Sequence, residues 1–271
     1  MKQEQANLKR HAKARFRAAA ATYDTQPGVQ PLVADKVEAM VATALGRAAV
    51  DDLRILEIGC GTGTLTARLV ERYPNAAITA VDVAETMVEQ ARRRLGNRGN
   101  VIWQAADAQH LEVRGKFSLV VSSSALHWLQ PLPQVLTRLV ASLRPGGEFV
   151  CGLMVRGTLE ELHALRNEVA PRKRLRRKMP EPDKVKAAIA ASGLDVVDSH
   201  VEKLVVDYPS AAEFLRTLNR QGVTGGIYAP AKALHRREIR HLIQEYEKRY
   251  ARPENGGVWA TYKVMFIRAN N

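Results

Sequence analysis

The sequence predicts an α/β fold: a parallel sheet with helices between its strands, closed by two late strands that make an antiparallel edge. Three observations predict it. Five short, apolar, β-branched runs alternate with helical patterns across residues 51–154, the spacing of strand–helix–strand units. Glycines at every second position, Gly59, Gly61 and Gly63, join the first run to the first helical pattern. Two extended runs, DVVDSHVEKLVVDYP (195–209) and VWATYKVMFIRA (258–269), come late and enclose further helical patterns. The chain has 271 residues, 46% of them apolar. That suffices for a packed core in one large domain, or a domain with a sizeable insertion.

The elements follow in order. Residues 1–50 read as an N-terminal helical lid segment: Ala18 to Ala21 favours helix, Pro27 to Pro31 interrupts, and LVADKVEAMVATAL carries Leu32, Val33, Val37, Met40, Val41, Ala44 and Leu45 at helical spacing. Residues 51–155 read as the sheet core. Its runs are RILEI (54–58), AITAVDV (77–83), NVIWQAA (100–106), FSLVVSS (117–123) and EFVCGLMV (148–155), separated by LTARLVERY, AETMVEQARRRL and QPLPQVLTRLVASLRPGG. Pro145–Gly146–Gly147 is expected to stop the last of these helices and turn the chain into the fifth strand. Residues 156–271 complete the sheet with strands at about 195–207 and 258–269, and carry helical patterns at 158–168, 182–192, 210–221 and 233–250. The stretch 210–250 is the expected helical substrate lid.

Charge narrows the classes. Forty-one Lys and Arg against 28 Asp and Glu give a net +13. Such an excess attracts polyanions (nucleic acid, an acidic membrane face or an acidic protein) or serves only solubility. No apolar run approaches the ~20 residues of a membrane helix. The basic N-terminus lacks a signal-peptide centre, and Glu4 and Asp24 run against a transit peptide. Two cysteines, Cys60 and Cys151, make neither a disulfide framework nor a zinc site. No metal is expected, and a cytoplasmic location is. The densest basic cluster, Arg172, Lys173, Arg174, Arg176, Arg177 and Lys178, suits an acidic partner, RNA or an exposed loop. Aromatics at 6%, with no stacked-aromatic motif, argue against nucleic acid.

The glycine loop departs from the dinucleotide fingerprint G-x-G-x-x-G. From Gly59 the sequence runs G-C-G-T-G-T, so Thr64 stands at the sixth position and the third glycine comes one residue early. The glycine that secures close helix packing beside a pyrophosphate is missing. Asp82 closes the second run, 19 residues after Gly63. A carboxylate there can accept both ribose hydroxyl protons, and Asp also suits an N-cap for AETMVEQARRRL. Asp107 follows the third run. It suits an exocyclic amine rather than an anion, and equally a turn or cap.

Taken together, the loop after an acidic strand end, Asp82, Asp107, FSLVVSSSALHWL and LRPGGEFVCGLMV resemble class I S-adenosylmethionine (AdoMet) methyltransferases over roughly residues 50–155. The resemblance implies a doubly wound, Rossmann-like sheet of seven mostly parallel strands, with the last, 258–269, antiparallel between strands five and six. It implies AdoMet as cofactor and S-adenosyl-L-homocysteine as product. It assigns cofactor contacts to Glu57, Gly59, Cys60, Gly61, Gly63, Asp82, Val83, Met87, Asp107, Ala108 and Ser123, with Asp107 at the adenine amino group and the Ala108 N–H at a ring nitrogen.

The flanks resemble one family more narrowly. RFRAAAATYDTQPGVQ (15–30) is similar to the F-x-x-A-A-x-x-Y-D signature of malonyl-acyl-carrier-protein O-methyltransferases, the enzymes that open biotin biosynthesis. RGTLEELHALRNEV (156–169), FLRTLNRQGVTG (214–225) and the closing YKVMFIRA agree with it, while Asn219 stands where that family often has Lys, and RKRLRRK (172–178) is unusually basic. The resemblance implies methyl transfer to the free carboxylate of a malonyl group on an acidic acyl carrier protein. Tyr23 and His127 are the candidates for positioning the acceptor, and Arg216 and Trp128 for binding it. His127 also reads as a histidine packed beside Trp128, and Arg216 as a solvated helix charge. Other readings are methylation of another small acid such as trans-aconitate or of another small metabolite, and, in a different class, a non-catalytic RNA-binding or scaffold protein that retains AdoMet.

Overall fold

The computed structural model describes residues 10, 13–25, 28–46, 52–96, 98–111, 116–173, 178–223, 232–254 and 256–271. The strands are β1 (Arg54–Ile58), β2 (Ala77–Asp82), β3 (Val101–Ala105), β4 (Phe117–Ser123), β5 (Leu143–Met154), β6 (Asp195–Tyr208) and β7 (Val258–Asn270). The helices are α1 (13–19), then α2 (Gln30–Leu45), α3 (Thr64–Arg72), α4 (Glu85–Leu95), α5 (Leu132–Ser142), α6 (Glu160–Val169), α7 (Pro182–Ala190), α8 (Ala211–Arg220) and α9 (Arg236–Arg249). They fall into two compact units. The first is Gln30–Val155, Pro180–Glu202 and Val264–Asn271; the second is the described part of Met1–Val29 with Arg156–Met179 and Lys203–Lys263.

The first unit carries the sheet, in the order β3-β2-β1-β4-β5-β7-β6. From β3 to β5 all neighbours are parallel. β7 runs antiparallel to β5, with Glu148 opposite Asn270 and Met154 opposite Val264. The doubly wound sheet with its antiparallel seventh strand between the fifth and sixth is therefore as expected. Strands buried on both faces read as continuous apolar runs; β4, FSLVVSS, is buried along all but its last residue. The order reverses between β1 and β4, which opens a crevice at the C-terminal strand ends in folds of this kind.

Helices bury one stripe each, Leu65 and Leu69 on α3 and Leu132, Val135, Leu136 and Leu139 on α5. α2 buries Val33, Ala34, Val37 and Val41, whereas Leu32, counted in the apolar pattern, is exposed. Val33 and Val37 press on β5 at Gly152, where an added Cβ would stand 2.8 Å from Val33 Cγ1. Pro145–Gly146–Gly147 differs from the expected turn: these residues form the bulged start of β5. Phe117 faces Leu143, yet Leu119 faces Glu148, so the extra residues loop out of register. Gly146, at φ +69°, donates its N–H to the Asn271 carbonyl (2.9 Å). Proline's missing donor and glycine's left-handed backbone suit a bulge as well as a turn.

The second unit is helical, around the outer ends of β6 and β7. α8 is capped by Ser210, which accepts from the Glu213 N–H, and buries Ala211, Phe214, Thr217 and Leu218. α6 is tied to β7 by the Leu159 N–H on the Thr261 carbonyl (2.6 Å) and by buried Glu161, which accepts from the Thr261 N–H (3.3 Å). Tyr208 and Tyr262 share a buried hydroxyl–hydroxyl hydrogen bond of 2.8 Å. α1 meets α8 where Arg15 donates to Asn219 Oδ1 (2.8 Å). Among the described residues no helix is long and apolar enough to cross a membrane.

Candidate functional site

The site forms where β1, β2, β3 and β4 end, all within the first unit. β1 gives way to a loop in which Gly59, Gly61 and Gly63 have φ of +73°, +52° and +82°, a conformation that side chains disfavour. The N–H groups of Gly59 and Cys60 both donate to the Val81 carbonyl (2.8 and 3.0 Å), and Gly63 donates to the Cys60 carbonyl (2.9 Å). Both backbone groups of Cys60 are thus engaged in shaping the loop, and its thiol is buried. Gly59 is required by its neighbour: an added Cβ would overlap the Ala125 Cβ in the loop after β4. At Gly61 an added Cβ would meet nothing within 4 Å, so there the bare backbone faces open space.

Asp82 locks this loop to β2. Its Oδ2 accepts the Gly61 N–H (3.0 Å) and its Oδ1 the Ala84 N–H (2.8 Å). The N-cap of α4 is Ala84, without a side-chain cap bond, so the alternative reading of Asp82 as that cap does not hold. Burial pushes its carboxyl above the ordinary range, and backbone N–H donors pull it back. Beneath it lies Glu57, 1% exposed, which accepts from Thr66 Oγ1 at 2.7 Å. Burial raises its carboxyl to about 7, against the Thr66 hydrogen bond, with Asp82 adding repulsion. Two acidic side chains so close under one loop disfavour each other's ionisation. Val83 is half-buried, and Met87 is buried in α4.

Asp107 caps a single 3₁₀ turn, Ala108–His110. Its Oδ1 accepts the Gln109 N–H (2.9 Å), and Oδ2 lies 3.1 Å from His110 Nδ1. The turn role is therefore realised, and Ala108 is buried beside it. After β4, half-buried Ser123 leads into Ser124, whose φ of +59° is unusual outside glycine. His127 and Trp128 follow in a 3₁₀ turn, their rings 5.4 Å apart. His127 is buried, and desolvation lowers its pKa to about 3. It is a neutral imidazole near pH 7.

Tyr23 and Arg216 belong to the second unit. Tyr23 opens a 3₁₀ turn and is half-buried. Arg216 is exposed on α8, with Nε on Glu213 Oε2 at 2.8 Å, and Arg220 holds the other oxygen of Glu213 at 3.2 Å. Of the basic run 172–178, Lys173 turns to Glu238 (2.6 Å); 174–177 lie outside the described residues. Three residues of the site carry no signal in the sequence: Thr66 on Glu57, Ala125 against Gly59, and Ser122, whose Oγ donates to the Ile58 carbonyl (2.8 Å). Ser122 acts across 64 residues and Ala125 across a similar span, while Thr66 reaches Glu57 over nine.

The donor set suits AdoMet. Open space over the Gly61 backbone admits a ligand close to the main chain. Asp82 has carboxylate lone pairs beyond its two amide bonds for hydroxyl donors. The Asp82 carboxylate, when ionised, favours a nearby cation such as a sulfonium.

Comparison with known proteins agrees. Residues 55–147 match the family model described as a methyltransferase domain. YcgJ from Bacillus subtilis shares the fold with a TM-score of 0.61 at 18% identity, over 88% of this chain and 98% of that one. Phosphoethanolamine N-methyltransferase 2 of Haemonchus contortus, solved with S-adenosylhomocysteine, shares it at 0.54 and 15%, over 88% and 52%. Fold and site together define a class I, AdoMet-dependent methyltransferase. A protein of Geobacter sulfurreducens named malonyl-acyl-carrier protein O-methyltransferase is 34% identical over 93% of this chain and 94% of its own length; one of the same name from Bacillus cereus is 29% identical over 93% and 94%. The chain belongs to the malonyl-acyl-carrier protein O-methyltransferase family.

Proposed function

We propose that this enzyme methylates the free carboxylate of a malonyl group carried on an acyl carrier protein, in the cytoplasm, giving the methyl ester that enters biotin synthesis. The observation that carries the reading is the 34% identity, spread over 93% of the chain, to a relative whose name states that reaction.

The chemistry fits the residues. Bound AdoMet supplies an electrophilic methyl carbon. The glycine loop, Asp82, Asp107 and Ala108 are the residues proposed to hold it, with Glu57 supporting the loop from below. A malonyl carboxylate is ionised at pH 7 and is already a nucleophile, so no general base is needed. The protein's task is alignment of the acceptor and exclusion of water. His127, held neutral by burial, suits hydrogen-bonded positioning rather than proton abstraction. Tyr23, Arg216 and Trp128 are proposed to recognise the acceptor.

The reading is tested by steady-state methyl transfer to malonyl-carrier protein, trans-aconitate and free malonate. The carrier-bound acceptor should have the highest kcat/KM, with kcat flat from about pH 6 to 9 because its carboxylate stays ionised. A rate rising tenfold per pH unit, or preference for a free acid, overturns it.

A further inference from the structure

We propose that the outward face of α9 is the docking surface for the acidic carrier protein, an inference that rests on the carrier-bound reading of the substrate. At about 100° per residue, Arg236, Arg237, Arg240, His241 and Lys248 fall on one side of α9, opposite buried Leu242 and Tyr246. All five are exposed. One acid, Glu247, shares that face.

The helix has two other acids within its length, and both are taken. Glu238 accepts from Lys173 Nζ (2.6 Å) and the His235 N–H (2.6 Å), and Glu245 is held by Arg249 (2.9 Å). Arg249 also reaches Glu168 on α6 at 2.9 Å. The five outward cations have no acidic partner within ion-pair distance among the described residues. Several other cations of the same unit are ion-paired: Arg216 and Arg220 share Glu213, Arg252 meets Asp207, and Lys263 meets Glu160. α9 therefore presents a surplus of exposed positive charge on one face. Lys173, from the run that the sequence marks as most basic, turns inward to Glu238 with 12% of its side chain exposed. It supports the helix instead of facing a partner. Ile239, 39% exposed, lies at the edge of that face next to Arg236 and adds an apolar contact there. A face of this kind accelerates encounter with an acidic protein and loses that advantage in salt.

The test is the double variant Arg237→Glu, Arg240→Glu. Both positions are exposed, so its melting temperature should match the wild type. With malonyl-carrier protein, kcat/KM should fall at least about tenfold, mainly through KM, while malonyl-pantetheine without the carrier is methylated at the wild-type rate. Wild-type kcat/KM for the carrier substrate should fall as salt rises from about 50 to 300 mM, and that of the variant should not. Unchanged kcat/KM for the carrier substrate overturns the docking surface, as does equal loss with both substrates. If the wild type methylates neither substrate, the functional reading fails separately. The docking surface is then judged by titrating carrier protein into both forms: weaker binding by the variant supports it, equal binding overturns it. Loss of single-stranded RNA binding with carrier binding unchanged would make the face a nucleic-acid surface and overturn the proposal.

Discussion

Replacing Gly59 by alanine isolates what the glycine loop does. An added Cβ overlaps the Ala125 Cβ, whereas carbons in contact stand ~3.5–4.0 Å apart. Either the loop after β1 or the loop after β4 must retreat by roughly 1–2 Å. Overpacking of that sort costs roughly 1–3 kcal/mol, and the φ of +73° adds roughly 1–2 kcal/mol for a residue with a side chain. The sum, about 2–5 kcal/mol, corresponds to a fall in melting temperature of order 10 °C for a chain of this size. Gly61→Ala is the matched control. Its Cβ meets nothing within 4 Å, so stability should fall by only about 1–2 kcal/mol, the backbone cost. The added methyl instead occupies the space proposed for the cofactor, and AdoMet affinity should fall at least about tenfold. Circular-dichroism melts of the ligand-free proteins and calorimetric titration with AdoMet separate the two effects. A Gly59→Ala protein that melts like the wild type, or a Gly61→Ala protein with wild-type AdoMet affinity, refutes the reasoning.

Three further outcomes follow from the same geometry. Glu57 has a folded pKa raised by burial to about 7, so its contribution to stability is full below its unfolded pKa of about 4.5 and is lost as pH rises through about 7. His127 and His163, lowered by burial to about 3 and about 4, lose theirs as pH falls, with the opposite slope. The difference between proteins is therefore the readout. In urea denaturation the ligand-free Glu57→Gln variant should gain on the wild type by about 3 kcal/mol between pH 4.5 and 7.5, and parallel curves would contradict the assignment. Tyr208→Phe leaves the buried Tyr262 hydroxyl without its 2.8 Å partner and should cost about 1–3 kcal/mol, while the double Phe variant recovers most of that loss; equal stabilities would show the pair to be idle. Arg216→Ala removes an exposed charge shared with Glu213, so stability should change by less than about 0.5 kcal/mol. KM for the malonyl acceptor should rise about tenfold if Arg216 binds it, and an unchanged KM leaves it a surface ion pair.

Much of the cofactor side is legible in the sequence because its signals are local. Alternate glycines need no partner to announce a left-handed loop, and an acid at a strand end lies at the open edge of a parallel sheet wherever the strand falls. The two late strands are readable because part of 195–209 alternates and 258–269 is a further extended apolar run. What escapes depends on distant residues. Nothing in positions 57 and 66 pairs Glu57 with Thr66 until β1 and α3 fold together. Ala125 explains Gly59 only once the loops after β1 and β4 meet. Pro145–Gly146–Gly147 reads as a turn because the same backbone preferences serve a bulge, and Asn271 supplies the deciding hydrogen bond. The positive charge was visible as a total and as the run 172–178; its distribution was not, since pairing decides which cations remain free, and Lys173 is spent on Glu238.

The most direct measurement is intact-mass spectrometry of malonyl-carrier protein after incubation with the enzyme and AdoMet. The account predicts a gain of one methyl on the malonyl group, absent with unmodified carrier and abolished by Asp82→Ala. An enzyme that binds AdoMet and methylates a free small acid, while malonyl-carrier protein keeps its original mass, would contradict it.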